Sequence, residues 1–180
     1  MTHDPSALPY RSNVGIALFD ARGLVFVGRS RGEGPETTDA DHEWQMPQGG
    51  IDPGEEIVAA ARRELMEETS IVDAEPLAVT DEWWAYDFPP YAGPPHHLCA
   101  FKGQIQRWVA FRFTGRQEAI DVLDPVGGVK PEFFAWKWLP LASLPGLVMP
   151  HKRGSYERVA AAFARFAAGP DAGGRGEVTG

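Results

Sequence analysis

The stretch Gly49-Gly-Ile-Asp-Pro-Gly-Glu-Glu-Ile-Val-Ala-Ala-Ala-Arg-Arg-Glu-Leu-Met-Glu-Glu-Thr-Ser-Ile71 governs the reading of this chain. From Glu56 to Thr69 it contains neither Gly nor Pro and is rich in Ala, Glu, Arg, Leu and Met. Ile57, Ala61 and Leu65 recur at a spacing of four, which predicts an amphipathic helix. Pro53 and Gly54 form a turn before it, and Glu55 and Glu56 put negative charge at its positive end. On that helix Glu64 stands three residues from Glu67 and four from Glu68, so three carboxylates share a face beside the apolar stripe. Like charges at those spacings cost roughly 0.2 to 0.5 kcal/mol per pair, with partial relief from Arg63 beside Glu67. A divalent cation would convert the repulsion into binding, although on the spacing alone such a triad is most often a solvated face.

Outward from the helix, Val14–Phe19 and Val25–Val27 read as buried strands joined by the turn Asp20-Ala-Arg-Gly23, a hairpin. Arg31 to His42 reads as an exposed loop whose acids, Glu33, Glu36, Asp39 and Asp41, are solvated. Trp83–Phe88, Gln106–Phe113 and Phe133–Leu139 read as further strands, and most of their tryptophans as core. Pro89 to Pro95 reads as a stiff surface loop, with part of a substrate mouth as the alternative. A second helix is expected over Tyr156–Phe166, with Val159, Phe163 and Phe166 on one face. Strands and helices interspersed without regular βαβ alternation point to an α+β fold, an α-β-α sandwich on a mixed sheet. We expect a single domain over residues 1–168 and a frayed tail at 169–180.

With 17 basic and 25 acidic residues the net charge is -8, the wrong sign for a protein that tracks long nucleic-acid backbone or DNA. A polyphosphate would then be met locally, by a cation and a few placed basic side chains. Cys99, the single cysteine, rules out an internal disulfide or a Cys-rich zinc cluster and reads as a half-buried small hydrophobe. No apolar run is long enough to span a membrane and the N-terminus lacks a secretory pattern, so a cytoplasmic monomer is expected.

The opening stretch resembles the Nudix signature, in which a glycine, a glutamate, Arg-Glu and Glu-Glu stand at fixed separations over 23 positions. The resemblance implies a Nudix-type sandwich with a loop-helix-loop in which Glu64, Glu67 and Glu68 bind Mg²⁺ or Mn²⁺, more than one ion once substrate is bound. It also implies that Arg63 pairs with Glu55 across the loop in support. Ser70 departs from the pattern: glycine usually stands there, and serine predicts a differently shaped helix end.

Beyond the signature, Tyr10–Gly15, Trp44–Gly50, Lys102–Trp108 and Pro131–Phe133 resemble the bacterial RNA pyrophosphohydrolases, which act on the 5′-triphosphate end of RNA. The same blocks with Tyr86-Asp-Phe-Pro89 are similar to plant-type diadenosine tetraphosphate hydrolases, so the resemblance implies an RNA end or a dinucleoside polyphosphate as substrate. By this resemblance Glu132 is a fourth metal carboxylate, while Arg11, Lys102, Gln104 and Lys152 contact substrate. His151 stands where an aromatic ring would stack on the first base. A non-catalytic nucleotide-binding regulator of the same fold, and a hydrolase of free nucleotides, are the competing readings. The intact set Glu64, Glu67 and Glu68 argues for an enzyme.

Overall fold

The computed structural model describes residues 7–167, so the tail read at 169–180 lies outside the described residues. Strand β1 (Tyr10–Phe19) is buried from Asn13 to Phe19 because both its faces are covered. Successive side chains point to opposite sides of a strand, and the core divides accordingly. Val14, Ile16 and Leu18 join Phe26 of β2 (Val25–Arg29), Val109 and Phe111 of β7 (Gly103–Phe113), and Ala60, Ala61 and Leu65 of α1 (Ile57–Thr69). Ala17 and Phe19 turn the other way, against Trp108, Leu144, and Tyr156 and Val159 of α2 (Pro150–Ala162). The result is a sheet sandwiched between helices. Truncating a core leucine such as Leu65, 1% exposed, to Ala costs about 2 to 5 kcal/mol in comparable sites.

The sheet is mixed. β1 and β7 run parallel, in register from Tyr10 opposite Gly103 to Phe19 opposite Arg112. The main path is β3 (Trp44–Gln45), β2, β1, β7 and β5 (Ala74–Val79). Off it, β4 (Gln48–Gly50) pairs with β1, β6 (Trp84–Asp87) with β7, and β8 (Ala135–Leu139) with β2. The distal end of β1 faces β2, Phe19 opposite Val25, whereas its proximal half faces β4, Asn13 opposite Gly50 and Gly15 opposite Gln48. That change of partner brings β4, and with it the start of the signature, alongside the polar end of β1.

Several sequence readings need correction. α2 begins at Pro150, where a proline lacks only a donor that the first turn leaves free, so His151–Arg153 lie inside the helix and not ahead of it. The helix stops at Ala162 and Ala164–Phe166 forms a 3-10 turn. Trp108, Trp136 and Trp138 are core, but Trp83 is 43% exposed. Cys99 is exposed, not half-buried. Ser70 takes the left-handed conformation, φ 64°, that glycine would adopt, and its N–H still closes on the Met66 carbonyl, so the helix ends in the usual way.

Candidate active site

At the loop-helix-loop, Arg63 is the hub. Its Nε and Nη2 each donate to a Glu55 carboxylate oxygen at 2.8 Å, and Nη2 also donates to the Gly50 carbonyl at 2.9 Å. Nη1 reaches Glu64 at 2.7 Å and Glu67 at 3.3 Å. A fork-on-fork pair of this kind is among the stronger charged hydrogen bonds. The Arg63 guanidinium, then the Asp52 N–H, hold the Glu55 carboxyl down at about 2. The turn is thereby tied to the helix. Gly49 has a second role: a Cβ on it would lie 1.9 Å from the Glu64 carboxyl carbon, so only glycine lets this carboxylate rest against β4.

The four sequence-proposed carboxylates do not converge equally. Among the described residues no three His, Cys, Asp or Glu side chains form a ready coordination shell. Arg63 draws Glu64 and Glu67. Glu68 is different: it is 3% exposed, its carboxyl meets the Glu132 carboxyl and the Gln48 backbone, and among the described residues no cationic side chain pairs with it. Burial, then the charges of Glu132 and Glu64, push its pKa well above the ordinary carboxylate range. Burial also raises Glu64, against the pull of Arg63. Glu132 sits on the exposed rim, yet its carboxyl turns inward toward Glu68, and its pKa is raised chiefly by that burial. A buried carboxylate without a counter-charge costs folding free energy unless it is protonated or meets a cation. Oxygen donors from Glu64, Glu68 and Glu132, short of a full shell, suit Mg²⁺, which keeps waters and shares one or two carboxylates with substrate phosphates.

Of these, Glu64 and Glu132 line a cleft of about 960 Å³, together with Arg11, Gln48, Gly49 and Gln104, among others. Arg11 is held close to Gly50, where a Cβ would come within 2.4 Å of its Nη2. Gln104, 1% exposed, has an unpartnered side-chain oxygen. Two expected substrate contacts lie elsewhere. The Lys102 ammonium sits 4.3 Å from the centre of the Tyr10 ring and does not line the cleft. Lys152 is 2% exposed, its Nζ 3.2 Å from Glu36 and 3.1 Å from the Gln45 amide oxygen, so this lysine is an internal counter-ion. Glu36 is accordingly not a solvated loop acid: the Tyr86 hydroxyl donates to it at 2.5 Å and Lys152 keeps it ionised. His151 packs 5.6 Å from the Tyr86 ring with its Nε2 buried and unpartnered, and burial lowers its pKa to about 4.

The NUDIX domain model matches residues 9–161, a span that holds the whole loop-helix-loop and the cleft. This chain belongs to the Nudix family. It is a Nudix hydrolase, with the metal-type acids of α1 intact. The RNA pyrophosphohydrolase of Bradyrhizobium sp. (strain ORS 278) is 52% identical over 163 residues, which cover 90% of this chain and 96% of that one. That of Rhodopseudomonas palustris (strain BisA53) is 50% identical over 156 residues, 87% of this chain and 88% of the relative. In fold, the Nudix chain is similar to the E. coli dihydroneopterin triphosphate pyrophosphohydrolase, TM-score 0.55 at 19% identity, over 86% and 99% of the two chains. It is also similar to a C. elegans Ap4A hydrolase, TM-score 0.53 at 15% identity, over 85% and 98%. No helix among the described residues is long and apolar enough to cross a membrane.

Sequence reasoning missed the polar floor of this Nudix cleft. The Gln106 amide donates to Asn13 at 2.8 Å and to Gln48 at 3.1 Å, all three buried, while the Asn13 amide nitrogen and the Gln106 oxygen remain unpartnered. The available signal was Gln104 and Gln106 at a strand spacing of two, opposite the polar start of β1. His96, His97 and Lys130, also on the cleft wall, lie in segments without periodicity and gave none.

Proposed function

We propose that this Nudix hydrolase removes pyrophosphate from the 5′-triphosphate end of RNA, in the cytoplasm, by divalent-metal-assisted attack of water on a phosphoanhydride. The observation that carries the chemistry is the buried Glu68 carboxyl, crowded by Glu64 and Glu132, which themselves line the cleft. The relatives named RNA pyrophosphohydrolase, about half identical along nearly the whole of both chains, support the substrate. Nudix hydrolases depend in general on divalent metals. A bound Mg²⁺ or Mn²⁺ would neutralise phosphoryl oxygens and acidify the attacking water.

The chain's own residues would do the rest. Glu64, Glu67, Glu68 and Glu132 would hold the ion or ions, with Arg63 and Glu55 fixing the helix against the loop so that the carboxylates keep their places. Arg11 would grip a phosphate from the start of β1, its planar fork suited to two oxygens at once. Gln104 would offer its unpartnered side-chain oxygen as an acceptor to a water at the floor. The buried position of Lys152 supports a different part from direct contact: neutralising Glu36, so that the wall facing Glu132 is not purely anionic.

Purified protein with Mg²⁺ should be offered triphosphorylated RNA, diadenosine tetraphosphate and free nucleoside triphosphates side by side. The RNA should give monophosphorylated RNA and pyrophosphate at the highest kcat/KM. Turnover of diadenosine tetraphosphate with none of RNA would transfer the assignment to the dinucleoside class. Metal binding without turnover of any substrate would favour a regulator.

A further inference from the structure

Burial alternates across Glu132, Phe133 and Phe134: Phe133 is 2% exposed, Phe134 36%, and Glu132 lies open on the rim. Glu132 and Phe134 both line the cleft, on either side of the buried Phe133. The Phe134 N–H donates to the Arg29 carbonyl at 3.0 Å, which continues the β2 pairing and fixes the ring's starting point. Phe134 and Leu123, 64% exposed, both line the cleft that holds the carboxylates, so its outer wall is apolar where its floor is polar.

Two guanidiniums lie near the Phe134 ring, Arg29 at 5.1 Å and Arg31 at 5.2 Å from its centre. They are held differently. Arg29 is locked by Glu43 at 2.6 Å, whereas among the described residues no carboxylate is paired with Arg31. Arg31 also lines the cleft and follows β2 in the loop, next to Gly32 with its φ of 63°. A flat aromatic and an unpaired planar cation on one wall make a stacking site that any nucleobase can enter, because every base has a π face. The other ring expected near the base, His151, is turned inward against Tyr86.

We propose that Phe134, with Arg31 closing over it, is the platform on which the first nucleobase of the substrate stacks while the polyphosphate reaches Glu132 and the helix acids. This rests on the RNA-end reading above and deepens it. Stacking on this ring holds the ground state and transition state alike, so its loss falls on KM and not on kcat.

The test compares parent, Phe134→Ala, Phe134→Leu and Phe134→Trp on triphosphorylated RNA and on ribose 5-triphosphate, which has no base. RNA carrying 2-aminopurine as its first nucleotide reports stacking by fluorescence quenching. Phe134→Ala should raise KM for RNA about tenfold with kcat within about twofold, and lose the quench; Phe134→Leu should behave similarly and Phe134→Trp should restore both. The preference for RNA over ribose triphosphate should fall by the same factor. If the parent cleaves RNA ends and Phe134→Ala keeps its KM and quench, the platform is wrong and the RNA reading stands. A loss confined to kcat, or equal on both substrates, would also overturn the platform. A parent inactive on RNA would remove both readings.

Discussion

Arg63 serves Glu55, Glu64, Glu67 and the Gly50 carbonyl with a single guanidinium, and its pairing with Glu55 has a measurable consequence. The Glu55 carboxyl titrates at about 2 in the fold against 4.5 ordinarily. A group whose folded pKa is depressed gives its full stabilisation above the unfolded value and loses it as pH falls toward the folded one. The melting temperature should therefore fall from pH 4.5 toward about 2, and Glu55→Gln should melt lower at neutral pH yet lose less over that window. Identical acid profiles for the two proteins would contradict this. The Glu55 and Arg63 pair was legible because both stand in a recognisable signature. The burial of Glu68 was not, since spacing puts three acids on a face but does not say which one the sheet will cover. Glu36 was misread for the same reason: a polar loop predicts solvent, and only the fold brings Tyr86 and Lys152 to it.

At the level of elements, α1 ends on Ser70, which combines two opposing effects. Left-handed φ at a residue with a Cβ costs about 1 kcal/mol relative to glycine. In return its hydroxyl donates to the Asp121 carbonyl at 3.2 Å and accepts from the Val126 N–H at 3.0 Å, tying the 121–126 loop to the helix end. Ser70→Ala keeps the strain and loses both bonds, so it should cost about 1 to 2 kcal/mol in urea unfolding. Ser70→Gly exchanges strain relief for the same loss and should stay within about 1 kcal/mol of the parent. A neutral Ser70→Ala would contradict the tether. Long apolar elements such as β1, β7 and α1 were readable from periodicity. β3 and β4 are too short for a pattern, and β5 carries Pro76 and an exposed middle, the marks of an edge strand. Pro150 and Gly154 hid the first turn of α2.

Across the whole molecule, a net charge of -8 sets the reach of recognition. Extended phosphate contacts are disfavoured, so kcat/KM on 5′-triphosphorylated RNA should change little from a few nucleotides to many and should show a shallow salt dependence. A steep, salt-sensitive rise with length would contradict recognition confined to the end. The sandwich follows from two apolar faces on one sheet, which the sequence reveals as unbroken apolar runs, whereas the cleft's polar floor depends on where β1 changes partner and could not be read in advance. The central claim, metal-assisted cleavage at the α1 carboxylates, is tested most directly by pyrophosphate release from triphosphorylated RNA in a Mg²⁺ titration of parent and Glu68→Gln. The rate should rise with Mg²⁺, vanish in chelator and fall roughly 10² to 10⁴-fold in the variant, which should melt no lower than the parent without metal. Parent-like turnover by Glu68→Gln, or undiminished release in chelator, would contradict the account.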